Sequence, residues 1–528
     1  MTPGSETVSA HPAAAVMRGP GDILAAAARR YGDKTALITA ERSLSYAELD
    51  DLAARSAAGL LAAGVRPGQV VSLYGPNSWQ WVAAYHAILR AGAVVNPINV
   101  MLTPPEVAYI LQDCGSAAVL TSDAQLPVLT ELAAGIGSVG FVCGLDTEGP
   151  AGFAALAGTD PLTSPPGADP AGLCTIGYTS GTTGHPKGAM QSQRAVLFNC
   201  ALTATMHGRT DRDVVVTALP APHVYGNVVI NGTFLAGGTV VLMQRFSAAE
   251  ALALVGEHEA TMFEGVPAMY AMMLAAPELA GARLGSLRVC TVGGQTIPTA
   301  TIDAWQRRSG APLLELWGMT ELSGLGTTHA IYAPNLPGSI GVALPGVEVR
   351  VADLADVTRD APPGEPGELM VRGPIVMMGY FGNEAETAAV IEPDGWLHTG
   401  DIAYANPTGH FFIVDRRKDL IITAGYNVYP AEIERVLAGH PAVAMVAVGP
   451  VPDPVKGEIA CAYVVPRQDA RVTGTELIDF TRDQLAAYKR PRRVVFMESL
   501  PATSSGKIMR RKLAEAAAAQ APAPPATR

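Results

Sequence analysis

Short runs of apolar, β-branched residues alternate along most of the chain with longer segments whose apolar residues recur at helical spacing. The pattern predicts a buried strand at 70–74, a helix at 79–91 and a second strand at 93–96. Similar short strands are predicted further along the chain, at 174–176, 214–216, 239–242 and 288–292. Strands that alternate with helices predict parallel sheets covered on both faces, in which functional sites form at the carboxyl ends of the strands.

The pattern changes near residue 342, where glycine and proline become dense and short alternating segments such as 347–351 predict a small β-rich subdomain. After a charged cluster at 415–419 it changes again and predicts an α+β module of about 100 residues, which is a normal domain size. The predicted elements of this module are a helix at 431–437, strands at 443–448 and 459–465, a helix at 475–486 and a strand at 493–496. We therefore predict an α/β fold: a large N-terminal domain of parallel-rich sheets covered by helices, with a small β subdomain, followed by a small mobile α+β C-terminal domain.

The predicted boundaries follow these changes in pattern. They define a flexible N-terminus at 1–20, an N-terminal domain at 21–415, a hinge at 416–419, a C-terminal domain at 420–513 and a flexible tail at 514–528. Both ends are rich in alanine and proline, which is typical of segments that fray.

Composition excludes several classes of protein. The chain has 528 residues, 48% of them hydrophobic, so more than one core is expected. The formal net charge of −11 argues against a nucleic-acid partner. The six cysteines are scattered without a C-x-x-C pair, which favours reduced cysteines over a zinc site or disulfides. The chain shows neither an apolar signal core nor an apolar run of membrane-spanning length, so we expect a cytoplasmic protein without an integral membrane segment.

Residues 178–190, YTSGTTGHPKGAM, concentrate three glycines, four hydroxyl side chains and one lysine. Glycines let several backbone N–H groups point at one anion, hydroxyls add donors, and lysine adds a mobile positive charge. The segment therefore predicts a loop that binds polyphosphate, although a flexible surface loop has a similar composition. It is not an ordinary P-loop, because Pro186 stands before Lys187 where that motif requires glycine.

Over its whole length this loop resembles the phosphate loop of the adenylate-forming superfamily, which includes acyl-CoA synthetases, nonribosomal-peptide adenylation domains and beetle luciferases. Further motifs in the expected order extend the resemblance from residue 44 to residue 507. The resemblance implies ATP, Mg²⁺ and coenzyme A as cofactors and a small-molecule carboxylic acid as the substrate. It also implies contacts between the β- and γ-phosphates of ATP and these loop residues: Thr179, Ser180, Gly181, Thr182, Thr183, Gly184 and Lys187.

The segment 317–321, WGMTE, resembles the family's aromatic-Gly-x-Thr-Glu motif. The resemblance implies that Trp317, followed by Gly318, stacks on adenine; most relatives have tyrosine there. It also implies that Thr320 bonds the α-phosphate and that Glu321 holds Mg²⁺ through its carboxylate oxygens. Taken alone, the segment also suits a helix start capped by Thr320. A glycine-rich segment beside the adenine and the acyl group is implied at Gly293, Gly294 and Gln295.

The other motifs of the resemblance lie towards the C-terminus. Asp401, in GWLHTGD, is implied to bind the ribose hydroxyls, and Arg416 to make a second contact with ribose or phosphate. A hinge residue, two residues of the pantetheine tunnel and the adenylation lysine are implied at Lys418, Gly425, Tyr426 and Lys507. In isolation, a turn-capping aspartate, a loop before a helix and a solvated lysine would account for several of these residues.

The family chemistry has two half-reactions: a carboxylate attacks the α-phosphorus of ATP, and a thiol then attacks the resulting acyl-adenylate. Mg²⁺ and a positioned lysine, Lys507, overcome the repulsion between the two anions of the first step. We predict that the C-terminal module rotates about Lys418 between the half-reactions, withdrawing Lys507 and bringing Gly425 and its neighbours to the site.

The acid is less well defined by the sequence. The segment 220–227 resembles the one that bears the gate beside the acyl carboxylate, with His223 as the candidate; a hydrogen-bonded core histidine is the alternative. The apolar run at 228–230 predicts an apolar acyl pocket, and the absence of arginine from 220 to 238 disfavours a dicarboxylic acid, with Arg245 left open. Some long-chain members carry tryptophan at the position of Asn227, and its absence here weakens the resemblance to that subclass.

The predicted function is therefore an ATP-dependent acid–thiol ligase that transfers a medium- or long-chain fatty acid to coenzyme A. The alternatives are an aryl-CoA ligase, an enzyme that loads a carrier protein or amine in trans, and a non-enzymatic nucleotide-binding regulator. The joint presence of Lys507, Glu321 and Asp401 argues against the regulator. A homodimer is left open.

Overall fold

The computed structural model describes residues 16–158, 160–179, 186–424, 426–467, 470–501 and 509–515. Its α-helices are α1 (Ile23–Tyr31), α2 (Tyr46–Ala62), α3 (Trp79–Arg90), α4 (Pro104–Asp113), α5 (Leu126–Ala134), α6 (Phe153–Leu156), α7 (Gln193–Met206), α8 (Val224–Ala236), α9 (Ala248–Glu257), α10 (Pro267–Ala275), α11 (Thr299–Ser309), α12 (Glu384–Val390), α13 (Pro430–Ala438) and α14 (Gly474–Phe480). None of these described helices is both long enough and apolar enough to cross a bilayer.

The strands, in chain order, are β1 (Thr35–Ile38), β2 (Ser43–Ser45), β3 (Val70–Tyr74), β4 (Val94–Ile98), β5 (Ala118–Thr121), β6 (Phe141–Gly144), β7 (Leu173–Thr179), β8 (Lys187–Ser192), β9 (Val214–Thr217), β10 (Thr239–Leu242), β11 (Met262–Gly265), β12 (Val289–Val292), β13 (Leu313–Met319), β14 (Gly324–Thr328), β15 (Val342–Ala343), β16 (Glu348–Ala352), β17 (Gly367–Arg372), β18 (Gly379–Tyr380), β19 (Leu397–Ala405), β20 (Phe411–Arg416), β21 (Ile421–Thr423), β22 (Tyr426–Val428), β23 (Val443–Asp453), β24 (Gly457–Pro466) and β25 (Arg493–Phe496). Short 3₁₀ helices lie at Pro20–Asp22, Pro277–Gly281, Thr320–Leu322, Arg417–Asp419 and Arg510–Lys512.

The first sheet has the strand order β15-β14-β13-β12-β11-β9-β10-β1-β2. Neighbouring strands from β13 to β1 run parallel, while β2, β14 and β15 pair antiparallel at the edges. Val292 at the end of β12 lies opposite Gly265 at the end of β11 and opposite Glu315 in β13. The carboxyl ends of these strands therefore meet at one edge, as the alternating pattern predicts.

The second sheet has the order β18-β8-β7-β4-β3-β5-β6. Strands β7, β4, β3, β5 and β6 are parallel to their neighbours, whereas β8 pairs antiparallel with β7 and β18 pairs antiparallel with β8. The hairpin of β7 and β8 brings Thr179 opposite Lys187, at the two ends of the predicted phosphate loop.

Helix α3 lies in the main core, which includes residues from both large sheets. Every residue from Gln80 to Leu89 is buried, as expected for a helix that is apolar on all sides. Its tryptophan and tyrosine, Trp81 and Tyr85, stack with ring centroids 5.7 Å apart. The α/β fold class predicted from the sequence is confirmed.

Two smaller antiparallel-rich sheets follow. The order β16-β17-β19-β20 forms the small β subdomain, and the order β22-β21-β24-β23, with β25 parallel to β24, forms the sheet of the C-terminal module. The helix predicted at 475–486 is wrong beyond Phe480, where α14 ends. A turn follows, in which the Leu485 N–H donates to the Thr481 oxygen at 2.9 Å. The turn buries Leu485 in the core of the module, a long-range contact that helical spacing does not reveal.

Glu315 on β13 gives a pH-dependent stability prediction. Burial raises the pKa of its carboxyl from 4.5 to about 7, although the Gly338 N–H donates to Oε2 at 2.6 Å. The folded state therefore favours the neutral acid. Protonated Glu315 contributes fully to folding stability below the pKa that the group has in the unfolded chain, and this stability is lost as the pH rises through about 7. At pH 8 we expect Glu315→Gln to increase the free energy of unfolding by on the order of 2 kcal/mol and therefore to raise the melting temperature. At pH 5 the melting temperature should change little.

The control is Glu131→Gln on the exposed side of α5. Scanning calorimetry at both pH values would show no change for this variant. Equal melting temperatures of wild type and Glu315→Gln at pH 8 would contradict the prediction.

Candidate active site

The ends of the predicted phosphate loop are held in a hairpin, with Thr179 on β7 and Lys187 on β8. The Lys187 ammonium pairs with the Glu386 carboxylate on α12 and lies 5.4 Å from the ring centroid of Tyr380. The loop residues predicted between the strands, Ser180, Gly181, Thr182, Thr183 and Gly184, lie outside the described residues. The described part therefore places the lysine beside an acidic and an aromatic side chain that the sequence analysis did not identify.

The hairpin contacts the turn that carries Thr320 and Glu321. A Cβ atom added to Gly177 on β7 would lie 2.7 Å from Thr320 Cγ2, so only glycine fits there without displacement. Gln191 on β8 donates from its Nε2 to the Thr320 backbone oxygen at 2.8 Å. Thr320 begins a 3₁₀ turn and is not its N-cap residue, which is Met319. Two segments predicted to bind phosphates are thus adjacent, although more than 120 residues separate them in the chain.

Glu321 is a buried carboxylate, with 7% of the residue exposed. The Tyr380 hydroxyl donates to its Oε1 at 2.9 Å. Burial raises the pKa of Glu321, and the charge of Asp401 raises it further, while the Tyr380 hydroxyl and Lys187 act in the opposite direction. A nearby cation would therefore stabilise the ionised form of this buried carboxylate.

The surroundings of Glu321 suit a bound Mg²⁺ ion. In the described parts of the chain, no group of three or more His, Cys, Asp or Glu side chains is arranged to hold a metal by itself. Mg²⁺ is commonly held by one or two carboxylates together with substrate phosphates, so a single buried carboxylate beside a phosphate loop suits it. Glu321 is the residue that would hold the ion, and this role stays a prediction.

Trp317, Asp401 and Arg416 lie together although they come from three different strands. The Trp317 Nε1–H donates to Asp401 Oδ2 at 2.8 Å, and Arg416 Nε lies 3.6 Å from Asp401 Oδ1. Asp401 on β19 and Arg416 on β20 are also cross-strand partners. The indole packs closely on Gly326, where an added Cβ would lie 2.6 Å from Cζ3. The tryptophan therefore orients the predicted ribose-binding carboxylate, a contact that its predicted stacking role did not include.

The residues predicted beside the acyl group follow the parallel strands of the first sheet. Gly293 and Gly294 come directly after β12; a Cβ at Gly293 would lie 2.2 Å from Leu316 Cδ1, and Gly294 has φ +86°, which favours glycine. Gln295 is exposed. Gly318, near the end of β13, is also exposed. This edge of the sheet therefore presents backbone and little side-chain bulk.

His223 is the N-cap residue of α8, and its Nδ1 accepts from the Tyr225 backbone N–H at 3.2 Å. The residue is exposed, so the alternative of a core histidine is wrong. Because β9 lies in the same parallel sheet, the loop that follows it brings His223 to the edge where Gly293 lies.

The C-terminal module carries the remaining predicted residues. Lys418 lies in the 3₁₀ turn Arg417–Asp419, at the predicted hinge. Tyr426, at the start of β22, is 57% exposed and stacks on Tyr488 with ring centroids 4.8 Å apart. Gly425 and Lys507 lie outside the described residues.

Comparison with known proteins identifies the family. Residues 24–381 match the family model described as AMP-binding enzyme, and residues 432–507 match the one described as AMP-binding enzyme C-terminal domain. The chain belongs to the AMP-binding enzyme family. This AMP-binding enzyme is an ATP-dependent acyl-CoA ligase that uses ATP, Mg²⁺ and coenzyme A, which confirms the predicted superfamily and cofactors.

Several relatives match this AMP-binding enzyme over almost its whole length. It is 38% identical to a feruloyl-CoA synthase of Amycolatopsis sp, over 92% of this chain and 96% of that protein. It is 33% identical to a long-chain-fatty-acid–CoA ligase of Bacillus subtilis (strain 168), over 93% of each chain. Among solved structures, ATP-bound MatB from Rhodopseudomonas palustris is 32% identical, with a TM-score of 0.86 over 94% of this chain and 98% of that one. The roles of individual residues stay predictions.

Four residues that contact the site are not predicted by the sequence: Gly177, Gln191, Tyr380 and Glu386. None of them lies in a motif that the resemblance singled out. Tyr380 reaches Glu321 because β18 pairs with β8. That pairing joins segments nearly 200 residues apart, so no local signal could have revealed it.

Proposed function

We propose that this acyl-CoA ligase activates an aromatic carboxylic acid that carries a hydrogen-bond donor, such as a hydroxyaryl acid, and transfers it to coenzyme A. In the first step a carboxylate oxygen bonds to the α-phosphorus of ATP while the bond from that phosphorus to pyrophosphate breaks. In the second step the thiol sulfur bonds to the acyl carbon, the acyl–AMP bond breaks, and the thiol proton is released.

The nucleotide side of the site would serve the first step. Lys187 and the hairpin around it would contact the β- and γ-phosphates, and Thr320 the α-phosphate. Glu321 would hold Mg²⁺, which when bound offsets the negative charge of the phosphates. Asp401 and Arg416 would bind the ribose, because a carboxylate can accept from two hydroxyl donors.

The observation that favours a hydroxyaryl acid is a buried hydrogen-bonded series on the acyl side. The Tyr225 hydroxyl, at the start of α8, lies 2.7 Å from Thr291 Oγ1 on β12. The Thr291 hydroxyl donates to Glu264 Oε2 on β11 at 2.8 Å. Glu264 in turn pairs with the Arg209 guanidinium, and both of these side chains are 0% exposed. Tyr225 lies in the first turn of α8, two residues after the predicted gate His223.

The direction of these hydrogen bonds determines what Tyr225 can offer a substrate. Thr291 uses its only proton on Glu264, so the hydrogen between Tyr225 and Thr291 comes from Tyr225. Burial raises the pKa of Tyr225 well above its usual value, which keeps that proton in place. The Tyr225 oxygen is therefore an acceptor towards any further group, and a phenolic hydroxyl or an aryl amine is a matching donor.

The same series argues against a dicarboxylic acid. The charge of Arg209 is already matched by Glu264, and its Nη1 donates to Thr233 Oγ1 at 2.6 Å. A buried cation committed to an internal carboxylate is not available for the second carboxylate of a substrate.

A medium- or long-chain fatty acid is the second candidate. Val228, Val229 and Ile230 on α8 are all buried in the main apolar core. An apolar helix of this kind, together with the fatty-acid relative at 33% identity, suits an alkyl chain without a polar end.

Tyr225→Phe discriminates between the two candidates. We expect kcat/KM for 4-hydroxycinnamate to fall about tenfold, because one hydrogen bond worth about 1.4 kcal/mol is lost. The values for cinnamate and octanoate should change less than about twofold, since neither acid has a donor at its far end. AMP and acyl-CoA are measured by chromatography at saturating ATP and CoA.

Tyr270→Phe is the matched control. Its hydroxyl is equally buried and donates to the Thr291 backbone oxygen at 2.7 Å, so its loss tests general damage to this region. It should affect all three acids alike. A wild-type preference for octanoate over both aromatic acids would favour the fatty-acid candidate.

The acceptor is tested in the same assay. AMP and thioester should appear together when ATP, Mg²⁺, coenzyme A and a panel of acids are supplied. AMP without thioester would favour loading of a carrier protein or amine, and no AMP with any acid would favour a nucleotide-binding regulator.

A further inference from the structure

Glu368 on β17 is a buried carboxylate that has no part in the function proposed above. The residue is 2% exposed. Its Oε2 accepts from Arg417 Nη1 at 2.7 Å and lies 3.2 Å from His398 Nδ1. Its Oε1 accepts from the Gly400 N–H at 3.3 Å. The other ring nitrogen of His398 lies 3.1 Å from Glu392 Oε1.

Two of the three partners of Glu368 are immediate neighbours of predicted ribose contacts, and the third, His398, precedes Asp401 by three residues. Gly400 precedes Asp401, and Arg417 follows Arg416. Asp401 and Arg416 are cross-strand partners, and 3.6 Å separates Arg416 Nε from Asp401 Oδ1. One carboxylate on β17 therefore contacts both segments that carry these residues.

Gly400 lies in β19 where its pairing with β17 shifts register, between His398 and Ile402. Gly400 has φ +71°, in the left-handed region that favours glycine. The Thr399 hydroxyl donates to the Leu369 oxygen at 2.6 Å and accepts from the Asp401 N–H at 3.1 Å. The bond from Gly400 to Glu368 therefore helps to hold the backbone that leads into Asp401, while Trp317 orients the Asp401 side chain.

Arg417 holds the other segment. It is the first residue of the 3₁₀ turn that contains Lys418, and its side chain is 51% exposed although its partner carboxylate is 3% exposed. The Glu368 oxygen that Arg417 contacts is not solvated, so this charge-assisted bond is stronger than an exposed pair. Removal of Arg417 would leave the turn without this anchor and Glu368 without its arginine.

We propose that Glu368 and Arg417 are positioning residues that hold the Gly400 segment and the Arg417 turn in place, so that the side chains of the cross-strand partners Asp401 and Arg416 meet the nucleotide. The inference rests on the proposed roles of Asp401 and Arg416 as nucleotide contacts. If the inference holds, replacing Arg417 lowers the affinity for ATP, whereas replacing an exposed residue without a positioning role does not.

The test is the kinetics of acyl-adenylate formation by full-length Arg417→Gln, with ATP varied at saturating acid. We expect KM for ATP to rise about tenfold while kcat changes less than about threefold, because the catalytic groups stay in place and only the ribose clamp loosens. Arg417→Lys should recover part of the affinity, since it restores the charge without the planar fork. Glu368→Gln should raise KM for ATP at least as much.

Arg372→Gln is the matched control. Arg372 lies on the same strand as Glu368 and forms a bidentate pair with Glu348, with 2.7 Å between Nη2 and Oε2. Its guanidinium lies 4.7 Å from the centre of the Trp396 ring, so it is bonded to neither Gly400 nor the Arg417 turn. The KM of the Arg372→Gln variant for ATP should equal that of the wild type. Because Arg417 is half-exposed, its variants should fold even where Glu368→Gln does not.

Two outcomes would overturn the inference and leave the proposed function intact. One is an unchanged KM for ATP in Arg417→Gln; the other is an equal rise in Arg372→Gln. Failure of the wild type to form AMP would instead refute the function itself.

Discussion

Replacement of Glu321 by glutamine should lower the rate of acyl-adenylate formation on the order of 10²–10³-fold, which is typical for the loss of one charge-stabilising group at a reacting centre. The carboxylate is buried beside the hairpin that carries the predicted phosphate loop, and glutamine keeps its shape and its bond from the Tyr380 hydroxyl while removing the charge. Burial raises the pKa of Glu321, so loss of the charge should not destabilise the fold. Acid-dependent exchange of pyrophosphate into ATP measures this step directly.

The Glu321 prediction has a graded variant and a control. Tyr380→Phe removes only the hydroxyl that donates to Oε1 at 2.9 Å, so it should reduce exchange about tenfold or less. Glu348→Gln changes an exposed carboxylate of the β subdomain and should leave exchange within about twofold of wild type. If Glu321→Gln kept more than a tenth of the wild-type exchange rate at low Mg²⁺, the assignment of Glu321 to the metal would be wrong.

Lys507→Ala should have the second large effect, a loss of at least 10²–10³-fold in adenylation, roughly as for removal of one donor to a developing charge. The reason is the repulsion between the acid carboxylate and the triphosphate, which a positioned lysine opposes. Thioester formation from supplied acyl-adenylate should be largely spared, because the charged triphosphate takes no part in it. Separate assays of pyrophosphate exchange and of thioester formation give the two values.

Lys512→Ala is the control for this experiment. Lys512 lies in the 3₁₀ turn Arg510–Lys512, a few residues after Lys507, and is exposed. It should leave both half-reactions unchanged. An equal fall of both half-reactions in Lys507→Ala would contradict the predicted rotation of the C-terminal module about Lys418.

The resemblance predicted the nucleotide site residue by residue, yet the contacts of those residues had to be seen in the structure. Trp317 shows this well. An aromatic residue before Gly318 predicts stacking on adenine, but its indole N–H donates to Asp401, 84 residues away. Tyrosine has a hydroxyl at a different place on its ring, so this bond depends on the tryptophan and on the approach of β19 to β13, neither of which spacing along the chain encodes.

Local pattern and tertiary pairing thus decide different things in this protein. The sequence determines a parallel α/β fold through its alternation of strands and helices, because backbone conformation and burial respond to neighbouring residues. It indicates an adenylate-forming chemistry through the glycine-rich loop and the order of the motifs. Only the folded chain decides that Tyr380 meets Glu321, that Tyr225 meets Thr291 and that Glu368 lies between Gly400 and Arg417. These contacts join residues that are 32 to 66 positions apart. They arise from strand register and from desolvation of polar groups that must find partners wherever the sheets bring them together.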